Sequence, residues 1–469
     1  MLNPSFPWWL EEALSSGPDE APAPPCIGRS EADVVIVGGG YSGLWTALAL
    51  RERNPDLDVA VLERDIVGAG PSGRNGGFLH GYWEQLPGLV EAFGKSAALE
   101  LAYAGSAAQQ AVVEFTKTRD EDIWATQAGI MMVATSQAQE AALDRAIDNA
   151  ARLGVPDQVE ALTHDDVAAR CASSAFGRGV LFREAGTVQP ARLARALRRA
   201  VVDAGVRLHE GTRVIDVVEG SSNRIVTELG EIRCREVVLA TNSALTTDPV
   251  GRRSMVNLSS YMCVTEPIPD RLAELGWTGG EGIRDARMFL HYFRATHDGR
   301  IAFGAGSGPI GFRGGNADKM SYDQATVARM CNDFRELFPA LRDVELTHAW
   351  GGPIDMASDH APIVHTKPGT RIHYAMGLSG HGVNPSWIVG QVLASLATGR
   401  SDEWTSLPLC RASAPPLPPE PLRYLGGRAV RTAIMRIESS ADSGTRPPLW
   451  ARIGADLPRK LGVRVGTRR

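Results

Sequence analysis

The chain has 469 residues, 43% of them hydrophobic, which is enough to bury a large core and to divide into two or three domains. Its net charge of −5 offers no broad basic field, so nucleic acid is excluded as an expected partner. Six scattered cysteines form no C-x-x-C pair, the acidic and proline-rich start MLNPSFPWWLEEALSSGPDEAPAPP lacks the basic opening of a signal peptide, and no long unbroken apolar run is present. The expectation is a cytoplasmic protein with reduced thiols, no zinc site and no membrane span.

Residues 1–31 read as an irregular lead-in in which Trp8 and Trp9 cover an apolar groove. The run 34–37 is short, β-branched and followed by glycines, which predicts a strand buried in a parallel sheet. Gly38, Gly40 and Gly43 follow at the spacing G-x-G-x-x-G, with Ser42 between the last two. They permit a tight turn, backbone approach to a pyrophosphate, and close packing of the predicted helix 44–53, whose free N–H groups face the phosphates. A second strand, 58–62, ends at Glu63, twenty residues beyond Gly43, where a carboxylate should accept hydrogen bonds from an adenosine ribose. Together these elements predict a bound dinucleotide.

Further along, 91–118 reads as one long helix, 129–135 as a strand and 137–153 as a helix. An amphipathic, basic helix is expected over 191–204, ended by Gly205, then strands at 206–208, 213–218 and 237–240. Residues 255–345 read mostly as alternating strands, with 288–294 and 300–304 joined by the turn His297-Asp298-Gly299. A strand at 371–376, a glycine-rich turn at 377–385 and a helix at 386–397 make a second strand–turn–helix unit. Beyond Ser401 the chain is proline-rich, and from Arg423 onward eleven Lys or Arg face three acids, which reads as a solvated helix with a loose tail, with a weak patch for an anionic partner as the alternative. The fold class expected is α/β, α+β overall, with a Rossmann-like domain interleaved with one on a mixed or antiparallel sheet, and a ligand between them.

Several motifs, in this order, resemble the FAD-dependent D-amino-acid oxidase superfamily, in its branch of γ-glutamylputrescine oxidoreductase-like and glycine or sarcosine oxidase-like enzymes. They are VVIVGGGYSGLWTALAL with AVLE, GAGPSGRNGGF at 68–78, ATNSA at 240–244, VTEPI at 264–268, RATHDGRIAFG at 294–304, WGGPIDMASDHAPIV at 350–364, GLSGHGVNPSWIVGQVLASLATG at 377–399 and PPEPLRYLG at 418–426. The resemblance implies an FAD-binding domain from 32–90, 155–250 and 346–400, a substrate-binding domain from 91–154 and 251–345, and an extension over 401–469. It also implies that Arg64 sits on the ribose side, Val214 contacts adenine and Ala240 lies beneath the adenosine. In the loop Ser72, Gly73, Arg74, Asn75, Gly76 and Gly77, backbone, cation and amide donors suit the flavin. Gly380, His381, Gly382, Val383 and Asn384 precede a helix whose N-terminal dipole suits an anionic reduced flavin.

Catalysis implied by the resemblance is hydride loss from the carbon bearing nitrogen of a neutral amine or amino acid, giving an imine that hydrolyses to a carbonyl compound, with electrons passed to O2 or another acceptor. His80, His291, Tyr292 and Arg294 are the substrate-side candidates, Arg294 as a carboxylate clamp with Tyr292 donating a hydrogen bond. No residue of 348–359 is a cysteine, so the FAD expected is noncovalent, and alignment places Ala302 where sarcosine-type relatives carry an oxygen-activating lysine. A dehydrogenase using a quinone or protein acceptor, and a noncatalytic FAD-binding subunit, are the alternatives.

Overall fold

The computed structural model describes residues 7–18, 20–249, 251–313 and 320–460. Two eight-stranded sheets organise them. In the first, Ile372–Met376, Gly230–Leu239, Gly28–Val37, Val59–Leu62 and Arg207–His209 run parallel in that order. Ile363–Thr366 is an antiparallel edge, and Val214–Val218 with Asn223–Thr227 form an antiparallel meander on Gly230–Leu239.

Alternation along the first strand divides the core. Val34 and Ile36 enter the layer of helices Tyr41–Arg53, Pro190–Asp203 and Pro385–Ala397, while Val35 and Val37 face the layer holding Ile225 and Ile232. Two of these helices meet almost backbone to backbone: a Cβ on Gly390 would lie 2.6 Å from that of Trp45.

The second sheet has the order Leu346–Ala357, Met255–Thr265, Ile301–Ala305, His291–Ala295, Gly282–Asp285, Ile130–Val133, Gly179–Phe182 and Val159–Leu162. It is antiparallel except where Gly282–Asp285 meets Ile130–Val133. Its aromatic face, with Phe293 and Phe303, packs on Phe334 and Phe338 at the helix Gln324–Leu337 and just after it. Val159–Leu162, Gly179–Phe182 and Leu346–Ala357, from the segments 155–250 and 346–400 expected in the FAD-binding domain, pair in this second sheet.

Several elements differ from expectation. The expected helix 91–118 breaks at Gly94, whose φ of 82° is left-handed, into Leu86–Phe93 and Lys95–Thr118. Within 255–345, Pro269–Glu274 and Gln324–Leu337 are helical. The lead-in contains the helix Trp8–Ser16, and its two tryptophans are buried with Trp350. Residues expected as one solvated helix with a loose tail form two helices, Leu422–Asp442 and Leu449–Lys460, packed on each other through Val430, Ala433, Ile434, Ala451 and Ala455. That apolar stripe at helical spacing is hidden in composition by the arginines around it. Residues 461–469 of the expected tail lie outside the described residues. Among the described residues no helix is long and apolar enough to cross a membrane, and the six cysteines are free thiols.

The basic helix Pro190–Asp203 is an internal anchor. Arg195 and Arg198 are buried, and they pair with Glu20 at 2.5 and 2.9 Å and with Glu210 at 3.5 and 3.1 Å. Glu210 also accepts from the N–H groups of Ala23 and Val67, each at 2.7 Å, so one carboxylate ties the lead-in to the first sheet. Although burial opposes it, those N–H groups and Arg198 hold the Glu210 carboxyl below its ordinary 4.5. A depressed carboxyl stabilises the fold above 4.5 and loses that contribution as pH falls through the lowered value. Glu210→Ala leaves two arginines without this partner and should cost about 3 kcal/mol or more in urea unfolding at pH 7. The deficit relative to wild type should shrink as the titration is repeated below pH 4.5.

Candidate active site

At the carboxyl end of the first strand the chain turns with no room for a side chain. Gly38 has φ 112°, and a Cβ there would lie 2.5 Å from the carbonyl oxygen of Ala240. A Cβ on Gly43 would lie 2.0 Å from the carbonyl oxygen of Gly38, so the helix Tyr41–Arg53 starts directly against the turn. Glu63, at the end of the next strand, accepts from Gly39 N–H at 2.9 Å through Oε2 and from Asp65 N–H at 3.0 Å through Oε1. Burial raises its carboxyl despite those bonds.

A cavity of about 810 Å³ runs from this turn to the second sheet. Gly38, Gly40, Ser42, Glu63, Arg64, Val214 and Ala240 line one end. Ser72, Arg74, Asn75 and Gly76 follow, with Gly380, His381, Gly382 and Val383 also on the wall. Gly43, Gly73, Gly77 and Asn384 are absent from that wall; Asn384 begins the helix Pro385–Ala397 and donates to Gln109 at 3.1 Å.

The loop at 70–77 is shaped by its own polar groups. Ser72 Oγ accepts from Tyr41 N–H at 3.0 Å, joining the loop to the first helix. Asn75 donates to the carbonyls of Pro71 and Ser72 at 3.2 and 3.0 Å and accepts from Gly77 N–H at 2.8 Å. Its amide donors, expected for a flavin, are spent within the turn. Arg74 donates to the carbonyls of Ala69 and Gly351 at 2.7 and 3.2 Å.

Asp355 was not singled out from the sequence, yet it holds the second turn. Buried on the cavity wall, it accepts from Gly377 N–H at 2.5 Å and Asn242 Nδ2 at 3.0 Å, and burial pushes its carboxyl up to about 6. An aspartate among apolar residues in the strand Leu346–Ala357 is the signal available in the sequence.

His80 and Tyr292 reach the cavity, while His291 and Arg294 do not line it. His80 Nε2 lies 3.3 Å from His381 Nδ1, and burial lowers its pKa, keeping the ring neutral. The Tyr292 ring lies across Gly304, directly opposite in the strand pairing, where a Cβ would stand 2.2 Å from the ring. Its hydroxyl is 2.7 Å from Ser260 Oγ, which donates to Ala305 O at 3.0 Å. With the Ser260 proton committed there, Tyr292 donates to Ser260 and turns acceptor lone pairs to the cavity, opposite to the donor role expected. Burial raises its pKa to about 12, so it stays neutral.

His291 is instead locked between Asp285, 2.7 Å from Nδ1, and Asp333, 3.1 Å from Nε2. Burial opposes protonation, but the carboxylates win and push it up to about 9. Arg294 is buried beneath the loop, donating to the carbonyls of Val188 and Gly77 with its guanidinium 5.4 Å from the Trp9 ring. It pairs in register with Ala302, which is buried in the cluster of Trp8, Trp9 and Trp350. On the far wall Glu84 and Arg284 form an ion pair at 2.6 Å, and helix Leu422–Asp442 contributes Leu422, Gly426 and Val430.

A model of the DAO family, described as FAD dependent oxidoreductase, matches residues 33–396. The chain is 29% identical over 444 residues to "Probable oxidoreductase OrdL" of Rhizobium meliloti (strain 1021), covering 92% of this chain and 96% of that protein. It is 27% identical over 402 residues to "Gamma-glutamylputrescine oxidoreductase" of Escherichia coli (strain K12), covering 85% of this chain and 89% of that protein. The crystal structure of glycine oxidase from Geobacillus kaustophilus superposes with a TM-score of 0.66 at 22% identity, over 82% of this chain and 98% of that one. FAD is thus the cofactor, and a cradle that any Cβ at Gly38 or Gly43 would fill fits its extended ADP half. Glu63→Ala should weaken FAD binding to the apoprotein about tenfold or more in a fluorescence titration. Gly43→Ala, whose methyl has no space, should abolish tight binding in the same assay.

Proposed function

Because the chain belongs to the DAO family of FAD-dependent oxidoreductases, we propose that it oxidises a small amine or amino acid by removing hydride from the carbon bearing nitrogen. The imine formed hydrolyses to a carbonyl compound, and O2 is the electron acceptor, yielding hydrogen peroxide. One observation carries the reading: a single cavity joins the dinucleotide cradle at Gly38–Glu63 to a wall with Tyr292 and His80. The name of the γ-glutamylputrescine oxidoreductase relative, an enzyme of an amine, supports the substrate class.

FAD, when bound, would supply the two-electron acceptor for that hydride. The residues that would hold it, without a covalent tether, are Glu63 and the N–H groups at the start of Tyr41–Arg53 for the ADP half, and the turns at 72–77 and 380–383 for the flavin. Tyr292, an acceptor toward the cavity, orients the N–H groups of the substrate. His80, held neutral by burial, takes the proton that an ammonium must lose before hydride can leave.

One feature favours a different acceptor. Ala302, where the resemblance implies a lysine, is sealed under Trp8, Trp9 and Trp350, and Arg294 beside it is engaged by carbonyls. Anaerobic mixing of the holoenzyme with a panel of amino acids, polyamines and N-methyl amines should bleach the flavin with at least one of them. Bleaching by none contradicts the function. Air should then restore the yellow colour within seconds; recovery taking minutes, with rapid recovery by a quinone, would assign a dehydrogenase.

A further inference from the structure

A cation on the cavity wall has no carboxylate partner among the described residues. Arg431 stands on helix Leu422–Asp442, beyond residue 396 where the family match ends. Its Nε donates to the carbonyls of Ser307 and Gly308 at 3.1 and 2.9 Å, and its Nη2 donates to Ser307. These bonds fix the plane of the guanidinium from one edge and leave Nη1 without a protein acceptor among the described residues. The other charges on this part of the wall are compensated. Arg284 pairs with Glu84, and Arg423 pairs with Glu420 at 3.0 Å. Arg329 donates to the same Ser307 carbonyl at 3.0 Å, which adds positive charge behind Arg431. Burial and then the Arg329 charge push the Arg431 pKa down; the Asp323 carboxylate acts against them but forms no ion pair with Arg431.

The peptide carbonyls that hold Arg431 also locate it. Ser259 N–H bonds Pro309 O at 3.0 Å, placing the 307–309 turn beside Ser259 and Ser260, and Ser260 carries the Tyr292 hydroxyl. Tyr292 offers acceptors, suited to an amine; Arg431 offers donors and charge, suited to an anion.

We propose that Arg431 binds a carboxylate on the substrate, so that the C-terminal helix selects amines that also carry an acidic group. This assignment rests on the amine-oxidising reading above and adds to it a substrate class and a specificity-determining residue. Desolvating a guanidinium on the cavity wall is offset when a planar carboxylate pairs with it, and an uncharged amine of the same length leaves it unpaired.

The test compares 4-aminobutyrate with butylamine on wild type, Arg431→Gln and Arg431→Lys holoenzymes, with Arg428→Gln as the control for lost helix charge off the wall. Arg431→Gln should raise KM for 4-aminobutyrate about tenfold or more, with kcat and the butylamine KM within about twofold, and Arg431→Lys should restore part of the loss. Butyrate, which has no amine to oxidise, reads binding alone through its perturbation of the flavin absorption. Its Kd should weaken about tenfold in Arg431→Gln and stay unchanged in Arg428→Gln. An unchanged butyrate Kd, or an equal rise in KM for both amines, would overturn the assignment of Arg431. If neither amine reduces the flavin while butyrate binding still depends on Arg431, the anion site stands and the amine-oxidising reading is what fails.

Discussion

Two peptide units approach more closely than any side chain allows where the first strand meets its helix, and the rest of the structure is arranged around that approach. Gly43 packs on the Gly38 carbonyl and Gly38 on that of Ala240, so three chain segments converge on one point at the carboxyl edge of the parallel sheet. That edge is where an open α/β sheet presents the free N–H groups of a helix start, and it fits the ADP half of FAD. The cavity extends from that edge away from the first sheet. The second sheet, two glycine turns and a C-terminal helix meet around it, where they would enclose the flavin half.

Buried charge holds these parts in register. Glu210 and Glu20 draw the lead-in onto the helix Pro190–Asp203, which places Trp9 against Trp350 and Arg294. Asp285, His291 and Asp333 fix the strand that carries Tyr292, and Glu438 accepts from the N–H groups of Met288 and Phe289 at 2.8 and 3.1 Å. That last contact joins the C-terminal helix to a segment lining the cavity. His291 and Arg294, which look catalytic in the sequence, thus serve as internal struts, while Tyr292 between them and His80 face the cavity.

What was legible in the sequence follows the range of the interactions involved. The dinucleotide turn is local: Gly38, Gly43 and Glu63 act within about thirty residues of one another, and spacing alone exposed them. The strand around His291, Tyr292 and Arg294 was legible as a strand, and alternation places Tyr292 and Arg294 on one face. Which of the two reaches the cavity depends on Gly304 yielding room to the tyrosine ring and on Val188, far away in sequence, capturing the arginine. Asn75 carried the right chemistry for a flavin donor, but its own turn consumed it. The C-terminal helix was read as solvated because eleven basic residues masked an apolar stripe whose partner is another helix of the same segment. Asp355 could not be separated from other acids until the turn at 377 was seen folded over it.

Hydride leaving the carbon that bears nitrogen, in the cavity lined by Tyr292 and His80, is the central step proposed for this enzyme. Its most direct test is the rate of anaerobic flavin reduction by a reactive amine carrying either hydrogen or deuterium at that carbon, measured by stopped flow at saturating substrate. A severalfold slower reduction with deuterium is predicted. Equal rates for the two isotopologues, with reduction still limited by a step on the enzyme, would contradict it.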